Sequence, residues 1–362
     1  MSTWRIPGGR YGIVAAGTGV ALTAVLAVAA VALGPSRPPI SSVAASASGQ
    51  RQVFITSHDN ASLAAVLRVP THAPGTRVPA VLIIPAPWAA DRDGREGPAG
   101  AKNSPYRVLA ESLAAQGIAS LRYDQRGTGE TWLPQGDQPT GFAEVEGDAA
   151  AALDALRQQP DIDPGRIALL GHGAGGLAAL VLAAIPPQPR VAVLVATPGR
   201  PLVQDLRSYI ATKVLPGYPG REQALLKDFD RAASELISSA QAPPVDPALE
   251  PFFPKAHAAL LRDLFRLDPA MLAHEVRIPV LIFNGRLDPQ IPLQDAQLLA
   301  SAFPGPRHET LVGAVTGHHL EVEADPASPD YHSMVMMRQN VPDTDRAAVD
   351  SIAGWIAGRL RS

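Results

Sequence analysis

The stretch from Arg166 to Leu180, RIALLGHGAGGLAAL, constrains this chain more than any other. Ile167 to Leu170 is an apolar run long enough for one buried parallel strand. Gly171-His172-Gly173-Ala174-Gly175-Gly176 then turns the chain, and Leu177 to Ala184 has the composition of a buried helix. A strand, a tight glycine turn and a helix in this order hold the apex residue on a strained turn above a sheet. The pattern that places a nucleophile there is G-x-S-x-G. Here the flanking glycines fall at 171 and 175, and the apex is Gly173. Neither serine nor threonine occurs between Gly165 and Ala196. Any functional reading turns on that missing hydroxyl.

The rest of the chain sets the surroundings. With 362 residues, 46% of them hydrophobic, there is enough apolar surface for one large core or two modest ones. The net charge is −3 with no long run of one sign, which speaks against a nucleic-acid partner. The absence of cysteine excludes a disulfide framework, a thiol nucleophile and thiolate metal sites. At the N-terminus, Arg5 and Arg10 precede an apolar run from Gly12 to Leu33. About 20 such residues span a bilayer as a helix, and Ala45-Ser46-Ala47 offers a small-residue cleavage site. Residues 1–34 are therefore expected to be a membrane anchor, or alternatively a cleaved signal peptide. Both place the remainder on the extracytoplasmic side. Residues 35–50, rich in Pro, Ser and Ala, read as a linker to a folded domain over 51–362.

Within that domain, strands are expected over Gln52–Thr56, Ser62–Val69, Ala80–Pro85, Ile118–Asp124, Val191–Ala196, Val280–Phe283 and Glu309–Val315, in addition to the strand before Gly171. Helices are expected over Tyr106–Gln116, about 143–158, about 293–302 and about 343–360. This alternation implies an α/β fold, a mostly parallel sheet with helices on both faces. It stops for about 80 residues between Pro198 and Glu275. There Leu225, Phe229, Ala232 and Leu236 share one face of a helix, and Leu260, Leu261, Leu264 and Phe265 mark another. A helical cap over about 198–276 would cover the carboxyl edge of the sheet, where such folds bind ligands.

Four blocks in this order carry a resemblance. They are Asp91-Arg92-Asp93-Gly94, the run from Leu121 to Gly129, the elbow frame, and Pro279–Gly285 continued through Asp288 to Ile291-Pro292. Together they resemble the α/β-hydrolase superfamily, in its bacterial serine aminopeptidase and esterase-like branch. The resemblance implies an α/β-hydrolase fold with Asp288 at the position of the triad acid. It places the triad base in His318-His319-Leu320, and the branch's pattern favours His319. It also implies a backbone N–H donor in the loop after Ala80–Ile84, where the register puts Pro87. Proline has no N–H, so half of an oxyanion hole is expected to be lost. The N–H groups of Ala174 and Gly175, at a helix start, would remain as an anion seat.

Other side chains read more plainly. Asp124 and Arg126 are expected to shape their loop, and His172 to be packed and hydrogen-bonded. A metal bound by His172, His318 and His319 is not expected, since neighbouring histidines rarely converge, and no cofactor motif is present. The expectation is an exported hydrolase-fold protein without serine-hydrolase chemistry. It would bind a small acyl, ester or peptide-like ligand, or a partner that the sequence does not specify. The alternatives are an active hydrolase in which His319 and Asp288 activate a water, or one whose serine comes from the cap, for example Ser208.

Overall fold

The computed structural model describes residues 49–86, 91–95, 103–134, 140–239, 241–323 and 343–361. Eight strands form one sheet in the order β1-β2-β4-β3-β5-β6-β7-β8. Two antiparallel pairs, β1 (Gln50–Thr56) with β2 (Ser62–Arg68) and β2 with β4 (Ala119–Tyr123), form one edge. From β4 onward the ladder is parallel through β3 (Val78–Ile84), β5 (Ile162–His172), β6 (Val191–Val195), β7 (Val280–Gly285) and β8 (His308–Gly313).

Strand periodicity of two divides the central residues between two cores. Leu82, Ile84 and Leu169 face a layer that includes α2 (Phe142–Arg157) and α3 (Gly175–Ala184). Val81, Ile83, Ala168 and Leu170 face α1 (Pro105–Ala115) and the C-terminal helix Arg346–Arg361. Both faces are covered, which is why β3 and β5 to β7 read as unbroken apolar runs.

Between β6 and β7 lie α4 (Leu202–Tyr209), α5 (Glu222–Ser239), α6 (Ala258–Arg266) and α7 (Pro269–Glu275). The expected faces are buried: Leu225, Phe229, Ala232 and Leu236 on α5, and Leu260, Leu261, Leu264 and Phe265 on α6. They do not all enter one core. Leu261 and Phe265 join a separate cluster with Phe229 and Phe253, whereas Leu260 and Leu264 reach the main layer beside α2 and α3. The segment is thus a small core of its own, stitched to the sheet layer through α6. Leu272 and Ala273 of α7 also belong to the sheet layer, so α7 packs with the body. After β7 come α8 (Leu293–Ala302), then β8 and the C-terminal helix, which is α9.

The linker expected over 35–50 ends earlier than the composition suggested, because Gly49 and Gln50 already belong to the first ladder. The anchor or signal over 1–34 lies outside the described residues. Among the described residues no helix is long and apolar enough to cross a membrane.

One buried acid gives the fold a pH dependence. Glu146 lies on the inner face of α2, and burial pushes its carboxyl up to about 7. In the unfolded chain the same group titrates near 4.3. Between those values the folded chain keeps a proton that the unfolded chain releases. The stability associated with Glu146 is therefore present below about 4.3 and is lost as pH rises through about 7. The loss is on the order of 3 kcal/mol at pH 8. Glu146→Gln should be more stable than the parent by about that amount at pH 8, with no gain at pH 4.5, in urea unfolding at the two pH values. An equal effect at both would show that charge burial is not its cause.

Candidate functional site

The elbow forms because β5 and α3 cross with almost no space between them. A β-carbon on Gly171 would stand 2.5 Å from the Gly175 carbonyl oxygen, and one on Gly175 would stand 2.7 Å from Ile84 O at the end of the neighbouring β3. At the apex Gly173 has φ +54°, the left-handed region that side chains other than glycine rarely adopt. Its N–H donates to Val195 O at 2.9 Å, and Gly176 N–H donates back to Gly173 O at 3.0 Å. The turn is built like a nucleophile's turn but presents no side chain.

The loop after β7 brings Asp288 to this turn. Asp288 Oδ1 accepts the N–H groups of Gln290 and Ile291 at 2.8 and 2.9 Å. Its Oδ2 accepts from His318 Nδ1 at 2.8 Å, and both residues are buried. The histidine partner is therefore His318, not His319 as the sequence pattern favoured. With Nδ1–H committed to the carboxylate, Nε2 is the nitrogen carrying the lone pair. It lies 3.9 Å from where a β-carbon on Gly173 would stand. His319 sits edge-on to the His318 ring, centroids 4.8 Å apart. Burial, and then the neighbouring His318, hold its pKa down at about 4, so it is neutral at physiological pH. The physical reason for the swap is local. Leu320 takes φ +56°, and Asn103 Nδ2 donates to His319 O at 3.2 Å, fixing the loop so that position 318 faces Asp288.

His172 is packed and bonded, as expected. Its Nε2–H donates to His318 O at 2.8 Å, and its Nδ1 accepts from Tyr106 Oη at 2.7 Å. Tyr106 Oη in turn accepts the Ala86 N–H at 3.2 Å. Complete burial, followed by the two neighbouring histidines, lowers the His172 pKa well below the ordinary value, so the neutral ring required by this chain of bonds is the stable form. One relay thus ties the loop after β3, helix α1, the elbow strand and the histidine loop together. The sequence carried no signal for Tyr106, which marked only the start of an expected helix.

The ring nitrogens of His172, His318 and His319 do converge, within 4.8 Å of one another. The three histidines thus meet, contrary to the expectation that neighbouring histidines would not. What disfavours a metal is chemistry: both nitrogens of His172 and Nδ1 of His318 are committed to protein partners.

Asp124 and Arg126 shape their loop. Asp124 accepts from Arg92 N and Glu130 N at 2.7 and 2.8 Å, and Arg126 bridges Asp59 and Asp148. Pro87 lies outside the described residues. The neighbouring Ala86 N–H is spent on Tyr106, so it is not offered to the cavity.

Above Gly173 is a cavity of about 470 Å³. Its floor is Ala86, Gly173, Ala174 and His318, and its roof comes from α4, α6 and the segment before α6. Ala174, whose N–H opens α3, lines it, whereas Gly175 does not. Among the described residues, no serine or threonine lines the cavity. Ser208 is exposed on α4 and is not part of the wall.

Residues 100–325 match the family described as serine aminopeptidase, S33. The chain belongs to that family. Esterase EstD of Thermotoga maritima is 25% identical over 280 residues, which are 77% of this chain and 62% of that protein. A thiohydrolase of Arthrinium phaeospermum, apmlB, is 35% identical over 91 residues, 25% of this chain and 29% of its own. The chain thus spans less than two thirds of the length of these relatives. Among solved structures, a Pyrococcus furiosus esterase superposes with a TM-score of 0.53 at 16% identity, covering 86% of this chain and 91% of that one. Est1E from Butyrivibrio proteoclasticus gives 0.53 at 14%, covering 86% and 99%. At such identities the superpositions establish the α/β-hydrolase fold alone.

Proposed function

We propose that this esterase-like family member binds an ester, acyl or peptide-like ligand over Gly173 without forming an acyl-enzyme. The observation that carries this reading is the pairing of an ordered His318–Asp288 dyad with an apex that has no side chain. A general base is in place, and among the described residues no serine or threonine lines the cavity. The same geometry favours a second reading. The space over Gly173 beside His318 Nε2 would admit a water, which the histidine could deprotonate for direct attack on a bound ester.

Treatment with a fluorophosphonate probe, followed by intact-mass measurement, should leave the protein unlabelled. Stoichiometric labelling at any serine would overturn the proposal. Ester turnover without labelling, lost in His318→Ala, would select the water route. The exported placement expected from residues 1–34 belongs to this reading as well. It fails if the full-length chain is recovered entirely in the soluble cytoplasmic fraction.

A further inference from the structure

Helix α4 contributes Leu202, Leu206 and Tyr209 to the cavity roof, but of its eight residues only Asp205 is buried. Its apolar side chains stay part-exposed, so the one fully buried contact of this helix is an acid. Both carboxyl oxygens of Asp205 are closed off from the cavity. Arg200 Nε stands 2.7 Å from Asp205 Oδ1, and Arg200 Nη2 donates to Asp295 Oδ2 at 2.6 Å. Asp295 lies in the first turn of α8, just after the loop that carries Asp288, and also accepts the Gly199 N–H at 2.8 Å. Two carboxyls, 3% and 0% exposed, thus share one guanidinium, and this cluster ties the roof helix to the body. At its far end α4 runs into a π-helical turn, Ile210–Val214, and a 3₁₀ turn, Leu215–Gly217. Departures from α geometry of this kind often mark hinges.

Two carboxylates around one guanidinium leave an unbalanced negative charge in a dry setting, which is costly. One proton on the pair removes it. Burial, and then the charge of Asp295, accordingly push Asp205 up to about 8. A carboxyl in water titrates at about 3.9. Between those values a seated α4 keeps a proton that a lifted α4 would release. Seating is therefore favoured most below about 3.9, weakens as pH rises, and has lost this contribution above about 8. We propose that Arg200, Asp205 and Asp295 form a proton-dependent latch that seats α4 over the cavity as a lid. Loss of the shared proton lets α4 lift on the turns at 210–217. The latch gives the cavity a controlled mouth, and its purpose rests on the ligand-binding reading, but the lifting itself is measured without ligand. Other charges lie around it. Tyr209, His257 and His318 are the remaining titratable groups on the wall, and the pairs Arg207–Asp230 and Arg262–Asp263 are formed on α4, α5 and α6.

The test is amide hydrogen exchange of the full-length chain at pH 6 and pH 8, read by mass spectrometry and corrected for the intrinsic exchange rate at each pH. Protection of a peptide covering residues 202–214 should fall by at least about ten-fold between the two, whereas that of the elbow strand, residues 167–172, should stay within a few-fold. Asp205→Asn and Asp295→Asn should each abolish the fall, since either leaves one carboxylate to one guanidinium. Asp295→Asn keeps an acceptor for the Gly199 N–H, so it decides the matter should Asp205→Asn fail to fold. His257→Gln should leave the fall in place, which separates the latch from histidine titration on the wall. Unchanged protection over residues 202–214 in the parent, or a fall that persists in both Asn variants, would overturn the latch and leave the cavity reading intact. A fall shared equally by the elbow strand would mean global loosening, and would overturn it too.

Discussion

Replacing Gly173 by serine should convert a protein that a fluorophosphonate leaves untouched into one that it labels. A β-carbon at 173 would stand 3.9 Å from His318 Nε2, so the hydroxyl one bond further out comes within the 2.6–3.2 Å or so that a nucleophile–base pair needs. The new side chain has two costs. At φ +54° an ordinary residue is strained, and its β-carbon would meet the Ala86 methyl at 3.3 Å, so that methyl must yield slightly. Together these should destabilise the fold by about 1–3 kcal/mol. Turnover of a p-nitrophenyl ester should nonetheless stay slow. The Ala86 N–H is occupied by Tyr106, and the sequence register implies Pro87, which has no N–H, at the donor position, so one oxyanion donor would be lost. That loss costs on the order of 10²–10³ in rate. Gly173→Ser combined with Pro87→Gly should therefore exceed the product of the two single effects in initial rate at neutral pH. No label on a folded Gly173→Ser protein would mean that the dyad cannot activate the apex. Equal rates for single and double variants would remove Pro87 from the oxyanion position.

In the Gly173→Ser background, His318→Ala should slow labelling by at least about 10³-fold, whereas His319→Ala should change it by less than about ten-fold. The two residues are adjacent and chemically identical, so the contrast isolates geometry. Of the two rings, it is His318 that donates to Asp288, and that bond sets the tautomer that leaves Nε2 as the base. His319 is kept neutral by burial, and its backbone rather than its ring is what Asn103 holds. Its removal should cost packing against the His318 and His172 rings. The measurement is the pseudo-first-order rate of probe incorporation, with circular dichroism as a check on folding. The opposite ranking would return the base to His319 and would mean that the 318–320 loop turns over in solution.

Much of the architecture is legible in the residues because it rests on local rules. Apolar runs bounded by turns became β3, β5, β6 and β7, and the 3.6-residue spacing of Leu225, Phe229, Ala232 and Leu236 became the buried face of α5. Glycines at 171 and 175 signalled a close strand–helix crossing, since only residues without a β-carbon allow it. The division of α6 between two cores was not legible. Its four apolar positions span one stripe, and whether Leu260 or Leu261 meets the sheet layer depends on the angle at which the helix lies.

The same boundary runs through the site. By itself the sequence determined the strand–turn–helix frame, the missing apex side chain and the acid after β7, because each is a matter of residue type at a fixed place in a local motif. Only the tertiary structure decided which histidine meets Asp288, since a change of one residue reverses which ring faces inward and no pattern in a two-histidine run encodes that orientation. It alone joined Tyr106 to Ala86 and His172, residues brought together from three separate elements. It alone brought Asp205 of α4 and Asp295 of α8 to the one guanidinium of Arg200. These are long-range contacts set by how layers pack, and the energies that select them come from burial and from satisfying polar groups inside the folded chain.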